Sequence, residues 1–217
     1  MELNTWIKIC GLTRREDALA AAEAGADAIG LVFAESPRRV TPEAARRIVR
    51  DLPTHVLRIG VFVDETPAQI ARVVGMAELD RVQLHGFEDP TVRELVGTRI
   101  LKAFRAQYED VVEEIQASGE GTFLLDTWSA DVAGGTGRTF DWKIAQQTAA
   151  LGRLILAGGL TAENVGDAIL AVRPFGVDVS SGVEDAPGLK NPDKIRAFVA
   201  AVRAADVERR RTSAGAT

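Results

Sequence analysis

The chain holds one cysteine, Cys10, in the stretch WIKICGLT at residues 6–13. Lys8 precedes it by two positions and a glycine follows. In an extended strand, residues two apart share a face. Lys8 and Cys10 therefore point one way, and Ile7 and Ile9 the other. A thiol beside a lysine is in a setting that favours the thiolate, which can take a carbon-bound proton or act as a nucleophile. The competing reading is a small buried hydrophobe, as free cysteines often are. Position at the end of an apolar run, next to a turn, favours chemistry. Asp126 ends the run TFLLD (122–126) in the same way. It is either a cap for the next turn or a general acid whose proton burial would hold.

Other polar residues fall at the ends of apolar runs. Gln83 and His85 share a face in RVQLH, with Val82 and Leu84 opposite, and Asp178 and Ser180 share a face in GVDVSS. Inward polar groups at such places are costly unless satisfied or used. Two segments suit a phosphate: AGGL (157–160) with Gly158 and Gly159, and SSGVE (180–184) with Ser180, Ser181 and Gly182. Glycine allows a ligand close to backbone N–H groups. Each could equally be a tight turn. In SPRRV (36–40), Pro37 stiffens the loop and an arginine, Arg38 or Arg39, can fork onto a carboxylate, the other being left for solvent. The two histidines form no cluster at ligand spacing, so no metal site is expected.

These residues need a frame. Short apolar runs recur at 7–10, 28–33, 57–63, 81–85, 99–104, 122–126, 153–159 and 176–181, each of strand length and rich in Val, Ile, Leu or Phe. Between them lie helical segments with start signals: Thr41-Pro42, Thr66-Pro67, Asn191-Pro192 and a further start at Thr161. The Ala-rich segment from Glu16 ends at Gly25, a C-terminal cap position. Eight strand–helix units predict a single (β/α)8 TIM barrel over residues 1–207, with 208–217 a polar, flexible tail. The alternative, a doubly wound open sheet, has fewer strands and a Gly-rich first turn, whereas CGLTR has one glycine. In a barrel, the strands' C-terminal ends carry the active site, and the loops after strands 7 and 8 commonly hold phosphate.

The 217 residues carry a formal net charge of −5. That argues against a nucleic-acid partner but not against a small anion held locally. A lone cysteine makes no internal disulfide, which fits a reducing cytoplasmic setting. No signal peptide and no membrane span are expected. The oligomeric state is not fixed by the sequence, a monomer being the favoured expectation.

KICGLT (8–13), GADAIGLVF (25–33), SPRRV (36–40), GVFVDE (60–65), VQLHG (82–86), LLDT (124–127), GGTGRTFDW (134–142), LAGGL (156–160) and VDVSSGVE (177–184), in this order, resemble the phosphoribosylanthranilate isomerase family of tryptophan biosynthesis. The resemblance implies a (β/α)8 barrel that performs an Amadori rearrangement of N-(5-phosphoribosyl)anthranilate, without cofactor or metal. It implies Cys10 as general base, Asp126 as general acid and Arg38 as receiver of the anthranilate carboxylate. Lys8, Gln83, His85 and Asp178 are then expected to line the substrate, and Lys8 to stabilise the Cys10 thiolate. The 134–140 loop is expected to close over the site and bring Arg138 or Asp141 near it. Lys102 either lines the site or pairs with a carboxylate.

Two rivals share the fold class. An indole-glycerol-phosphate synthase would need a lysine acid and a glutamate base at strand ends, and a ribulose-phosphate epimerase paired aspartates and histidines. Neither set is present, and Cys10 would be idle in both. A third rival, a non-catalytic barrel used for binding, would have lost the Cys10/Asp126 pair.

Overall fold

The computed structural model describes residues 4–97, 100–106, 110–127 and 142–214. Eight parallel strands close on themselves in chain order: β1 (Trp6–Ile9), β2 (Ala28–Val32), β3 (Leu57–Phe62), β4 (Arg81–Leu84), β5 (Ile100–Arg105), β6 (Thr122–Asp126), β7 (Arg153–Ala157) and β8 (Gly176–Val179). β1 pairs with both β2 and β8, and Lys8 stands opposite Asp178 across the closing seam. Helices α1 (Arg15–Ala24), α2 (Pro42–Val49), α3 (Pro67–Ala77), α4 (Val92–Val96), α5 (Val111–Ser118), α6 (Lys143–Ala149), α7 (Val165–Val172) and α8 (Pro192–Ala214) follow the strands in turn.

Alternation along each strand sorts the side chains. Ile7, Ile9, Val82 and Leu84 join the large core between barrel and helices. Leu101, Ala103, Leu124, Ile155 and Ala157 fill the barrel's interior, below the polar residues of the strand ends. Burying one such aliphatic side chain is worth about 1.5–3 kcal/mol, so a one-residue slip of register would expose a whole stripe. Helix starts follow their sequence signals. The Thr41 hydroxyl accepts from Ala44 N–H at 3.2 Å, and that of Thr66 from Gln69 N–H at 3.3 Å, each satisfying an otherwise unpaired donor. Gly25 ends α1 at φ 97°, a conformation that glycine adopts without strain.

Two features depart from the expectation. The segment 208–214 is helical, α8 running on to Ala214, and 215–217 lie outside the described residues. Its last turns are tied down. Asp206, fully buried, accepts from Thr5 N–H and from the Thr5 hydroxyl at 2.6 Å, Arg203 and Arg209 pair with it, and Arg210 donates to Asn4. These contacts link the segment before β1 to α8. The other departure follows β8. Ser181–Val183 makes one turn of 3-10 helix, and a small antiparallel hairpin, β9 (Glu184–Ala186) and β10 (Leu189–Lys190), leads into α8.

Candidate active site

A cavity of about 310 Å³ opens at the C-terminal ends of the strands. Cys10, Arg38, Gln83, His85, Asp126, Gly158, Gly159, Asp178, Ser180 and Ser181 all line it, with Val32, Val61, Leu124 and Leu160 supplying apolar wall. The strand-face reading therefore brings together residues as far apart in sequence as 10 and 181. A larger groove, about 430 Å³, lies outside the barrel against Phe33, Arg39 and α3, and no strand-end polar residue of the barrel mouth lines it. Arg39 faces that groove and Arg38 the barrel mouth.

The glycine after Cys10 has a steric cause. Gly11 sits at φ 76°, and a Cβ there would fall 2.5 Å from Arg38 Cδ and 3.0 Å from Ser180 Oγ. Only glycine lets the first turn pass this close beneath both groups. Gly30 on β2 does the same for the thiol, since a Cβ there would lie 2.5 Å from Cys10 Sγ.

Lys8 does not line the cavity. It is fully buried beneath the floor, its ammonium donating to Asp178 Oδ2 at 2.8 Å. Burial works to lower its pKa, but the charges of Asp178 and Cys10 outweigh this and hold it up. Burial pushes the Asp178 carboxyl up against the pull of Lys8. Burial raises the Cys10 pKa, and Lys8 offsets this only in part because Asp178 opposes it.

Asp126 is not deeply buried: its side chain is 28% exposed, and His85 Nε2 stands 3.4 Å from its Oδ2. Gln83 Nε2 lies 3.3 Å from His85 Nδ1. With the amide nitrogen donating, Nδ1 accepts, and the ring proton sits on Nε2, facing Asp126. Two buried oxygens of this floor, Gln83 Oε1 and Asp178 Oδ1, have no partner among the described residues.

At the other end of the cavity, Gly158 (φ 96°) and Gly159 (φ 65°) turn the chain sharply after β7. The 3-10 turn after β8 makes its own bonds from Val183 and Glu184 N–H, so the amides of Ser181 and Gly182 precede its first internal donor. Gly182 does not line the cavity. A Cβ on it would lie 2.0 Å from the Leu160 carbonyl oxygen, so its role is to let the two loops touch.

Arg38 is the most heavily engaged wall residue. Its Nε and Nη2 donate to Glu184 Oε1 and Oε2 at 2.8 and 2.6 Å. Behind it stands Lys190, fully buried, reaching Glu184 Oε1 at 2.8 Å and the Ser180 carbonyl at 3.0 Å. Sequence reasoning gave neither Glu184 nor Lys190 a role. Glu184 closes the recognised VDVSSGVE stretch, but Lys190 carries no signal beyond its place before the Asn191-Pro192 helix start. Lys102 pairs with Glu88 at 3.1 Å and with the Gly86 carbonyl, bracing the loop after β4. Arg138 and Asp141 lie outside the described residues. Among the described residues no group of three or more His, Cys, Asp or Glu side chains could hold a metal ion.

A closed parallel barrel whose C-terminal mouth combines a thiol, a carboxyl–imidazole pair, an arginine and two glycine-bearing loops after β7 and β8 defines an acid–base enzyme of the (β/α)8 class. Comparison with known proteins narrows this. The family model for N-(5'-phosphoribosyl)anthranilate (PRA) isomerase matches residues 7–201. An N-(5'-phosphoribosyl)anthranilate isomerase of Pelobacter propionicus is 53% identical over 194 residues, 89% of this chain and 93% of the relative. The crystal structure of phosphoribosyl anthranilate isomerase from Thermotoga maritima superposes with a TM-score of 0.84 at 44% identity, covering 92% of this chain and 99% of that one. A further isomerase structure, in complex with reduced 1-(o-carboxyphenylamino)-1-deoxyribulose 5-phosphate, has a TM-score of 0.81 at 42% identity over 92% and 99% of the two chains. The chain belongs to the N-(5'-phosphoribosyl)anthranilate isomerase family, intramolecular oxidoreductases of tryptophan biosynthesis.

Proposed function

We propose that Cys10 and Asp126 are the base and acid of the isomerisation in this chain. Asp126 gives its proton to the furanose ring oxygen, the C1′–O bond breaks, and the anthranilate nitrogen's lone pair forms an iminium with C1′. The Cys10 thiolate then takes the C2′ proton, and those electrons neutralise the iminium to give an enolamine. Protonation at C1′ and loss of the C2′ hydroxyl proton yield the ketone. Every atom is kept, so the reaction is an isomerisation.

The observation that carries this reading is the convergence of Cys10, Asp126, Arg38 and both glycine-bearing loops on one cavity. The loops after β7 and β8 suit the phosphate: Gly158, Gly159, Ser180 and Ser181 supply its wall and Gly182 the close loop contact. Arg38 suits the carboxylate with the donor face that Glu184 leaves. Gln83 Oε1 and Asp178 Oδ1 suit ribose hydroxyls, because a buried acceptor without a partner costs roughly 1–3 kcal/mol until one arrives. His85 orients Asp126. Lys8 acts from below through Asp178 and Cys10. Among the described residues no helix is long and apolar enough to cross a membrane, and the cytoplasm, where a diffusible phosphorylated substrate is available, is the proposed location.

The test generates the substrate from anthranilate and a phosphoribosyl donor and follows loss of its fluorescence. Wild type is expected to turn over. Cys10→Ala and Asp126→Asn are each expected to lose roughly 10²–10⁴-fold in kcat. Near-normal turnover in either variant removes that residue from its role.

A further inference from the structure

The mechanism leaves one buried cation without a task. Lys190 lies outside the cavity, its side chain fully enclosed. Its nitrogen meets three acceptors: Glu184 Oε1 at 2.8 Å, the Ser180 carbonyl at 3.0 Å and Ser180 Oγ at 3.4 Å. An ammonium has three N–H donors and no acceptor, which these three acceptors meet, although burial outweighs Glu184 and pulls the lysine's pKa down. Glu184 is shared: it receives Lys190, both forks of Arg38 and the Gly188 N–H. The hairpin carrying Lys190 is anchored to the first turn, where Thr13 donates to the Gly188 carbonyl and Asp17 receives Lys190 N–H.

Charge gives this cluster a meaning. Arg38 and Glu184 alone would form a neutral bidentate pair at the cavity wall, with little field to offer a substrate carrying a carboxylate and a phosphate. Lys190 adds a second cation behind the same carboxylate, leaving one net positive charge on the cluster. It also grips Ser180 on the phosphate side, so one buried ammonium touches the supports of both anion-binding ends. A lysine is costly to bury, and nothing in local packing requires it at the end of a two-residue strand.

We propose that Lys190 is a positioning residue for substrate binding: it restores the net positive charge that Glu184 takes from Arg38, and it ties the arginine to the loop after β8. This rests on the isomerase reading above. Lys190 touches no reacting atom, so its contribution is to binding, equal in the ground and transition states.

The experiment compares wild type, Lys190→Met, and the double variant Lys190→Met/Glu184→Gln. The single variant keeps the stem's length but leaves the cluster neutral. Its KM is expected to rise roughly tenfold, the order that one charge about 12 Å away carries through an effective dielectric of about 20. Its kcat is expected to stay within about threefold, as loss of uniform binding requires. The double variant again has one net positive charge and is expected to recover much of the KM. Tm is measured alongside: a purely structural role predicts that KM follows Tm across the variants, whereas the charge role predicts that KM recovers in the double variant whether or not Tm does. If Lys190→Met does not fold, Lys190→Gln, one atom shorter, keeps an amide N–H on the Ser180 side and removes the charge, with the same rise in KM expected. Wild type without turnover removes the isomerase reading itself. Wild-type turnover with KM unchanged in the single variant, or no recovery in the double, overturns the role of Lys190 alone.

Discussion

Cys10 is the only cysteine in the chain, so any thiol signal reports on it and the coupling to Lys8 can be read directly. The perturbation is Lys8→Met. It removes a cation beside the thiol and leaves Asp178 buried without its partner. One unit charge is worth about 4 kcal/mol at 4 Å and about 2 kcal/mol at 8 Å through an effective dielectric of about 20. Asp178 cancels part of this loss by taking up a proton itself, which its burial already favours. The net expectation is a roughly tenfold smaller thiolate fraction at neutral pH. Alkylation of Cys10 by iodoacetamide, followed from pH 6 to pH 10, measures it. The variant's rate curve should move to higher pH, and Asp178→Asn, which leaves Lys8 unopposed, should move it to lower pH.

Stability separates this from simple damage. Breaking a buried pair from one side costs about 3–5 kcal/mol, whereas replacing both partners by apolar groups is often neutral. Lys8→Met should therefore lose Tm, and Lys8→Met/Asp178→Leu should regain it without restoring the alkylation rate. If the Lys8→Met curve coincides with wild type, or moves to lower pH, the thiol is not governed by the pair and the account of its raised pKa is wrong.

Two further outcomes follow from the geometry. Gly30→Ala places a methyl 2.5 Å from Cys10 Sγ and 3.1 Å from its Cα, so the base must shift; kcat should fall on the order of 10²-fold with KM little changed, the cost of displacing a reacting group by about 1 Å, and an unaltered kcat would show that the thiol's position is not critical. Burial resists ionisation of Glu184, but its bonds to Arg38 and Lys190 prevail and lower its pKa; the stability it contributes is present above the ordinary glutamate value and lost as pH falls through the lowered one. In urea unfolding series, the stability gap between wild type and Glu184→Gln should accordingly be full at neutral pH and close below about pH 4, whereas a gap independent of pH would refute ionic pairing as its source.

How much of this could be read in the sequence follows from which interactions are local. The eight strands were legible because parallel barrel strands are buried on both faces and read as continuous apolar runs. Helix starts at Thr41, Thr66 and Asn191 were legible because a cap and the proline after it act within one turn. Cys10, Gln83, His85, Asp126 and Asp178 could be aimed at one mouth because strand alternation is strict and closure does the rest. What could not be read depends on contacts across the closed ring. The pairing of Lys8 with Asp178 is a register across the β1–β8 seam, 170 residues apart in sequence, so the lysine's charge looked free to act on the thiol. Lys190 and Glu184 belong to a hairpin too short to leave a periodic signal, and the helical turns beyond residue 207 are held by Asp206, whose partner is Thr5 at the opposite end of the chain.

The same distinction bears on how the site works. Among the described residues, three acid–cation contacts at the site, Lys8 with Asp178, Lys190 with Glu184 and Arg38 with Glu184, tie together the first, second and last units of the barrel. Asp126 and His85 stand on β6 and after β4, outside that network. The proposed base and Arg38 therefore sit on a charge-linked part of the mouth, while the proposed acid is more exposed and stands beside an imidazole. That division matches what the two proton transfers require. A base that takes a carbon-bound proton needs fixed aim, since carbon offers no hydrogen bond to guide it. An acid that gives its proton to a ring oxygen is guided by the hydrogen bond it already makes, and it needs access to solvent to be reprotonated between turnovers.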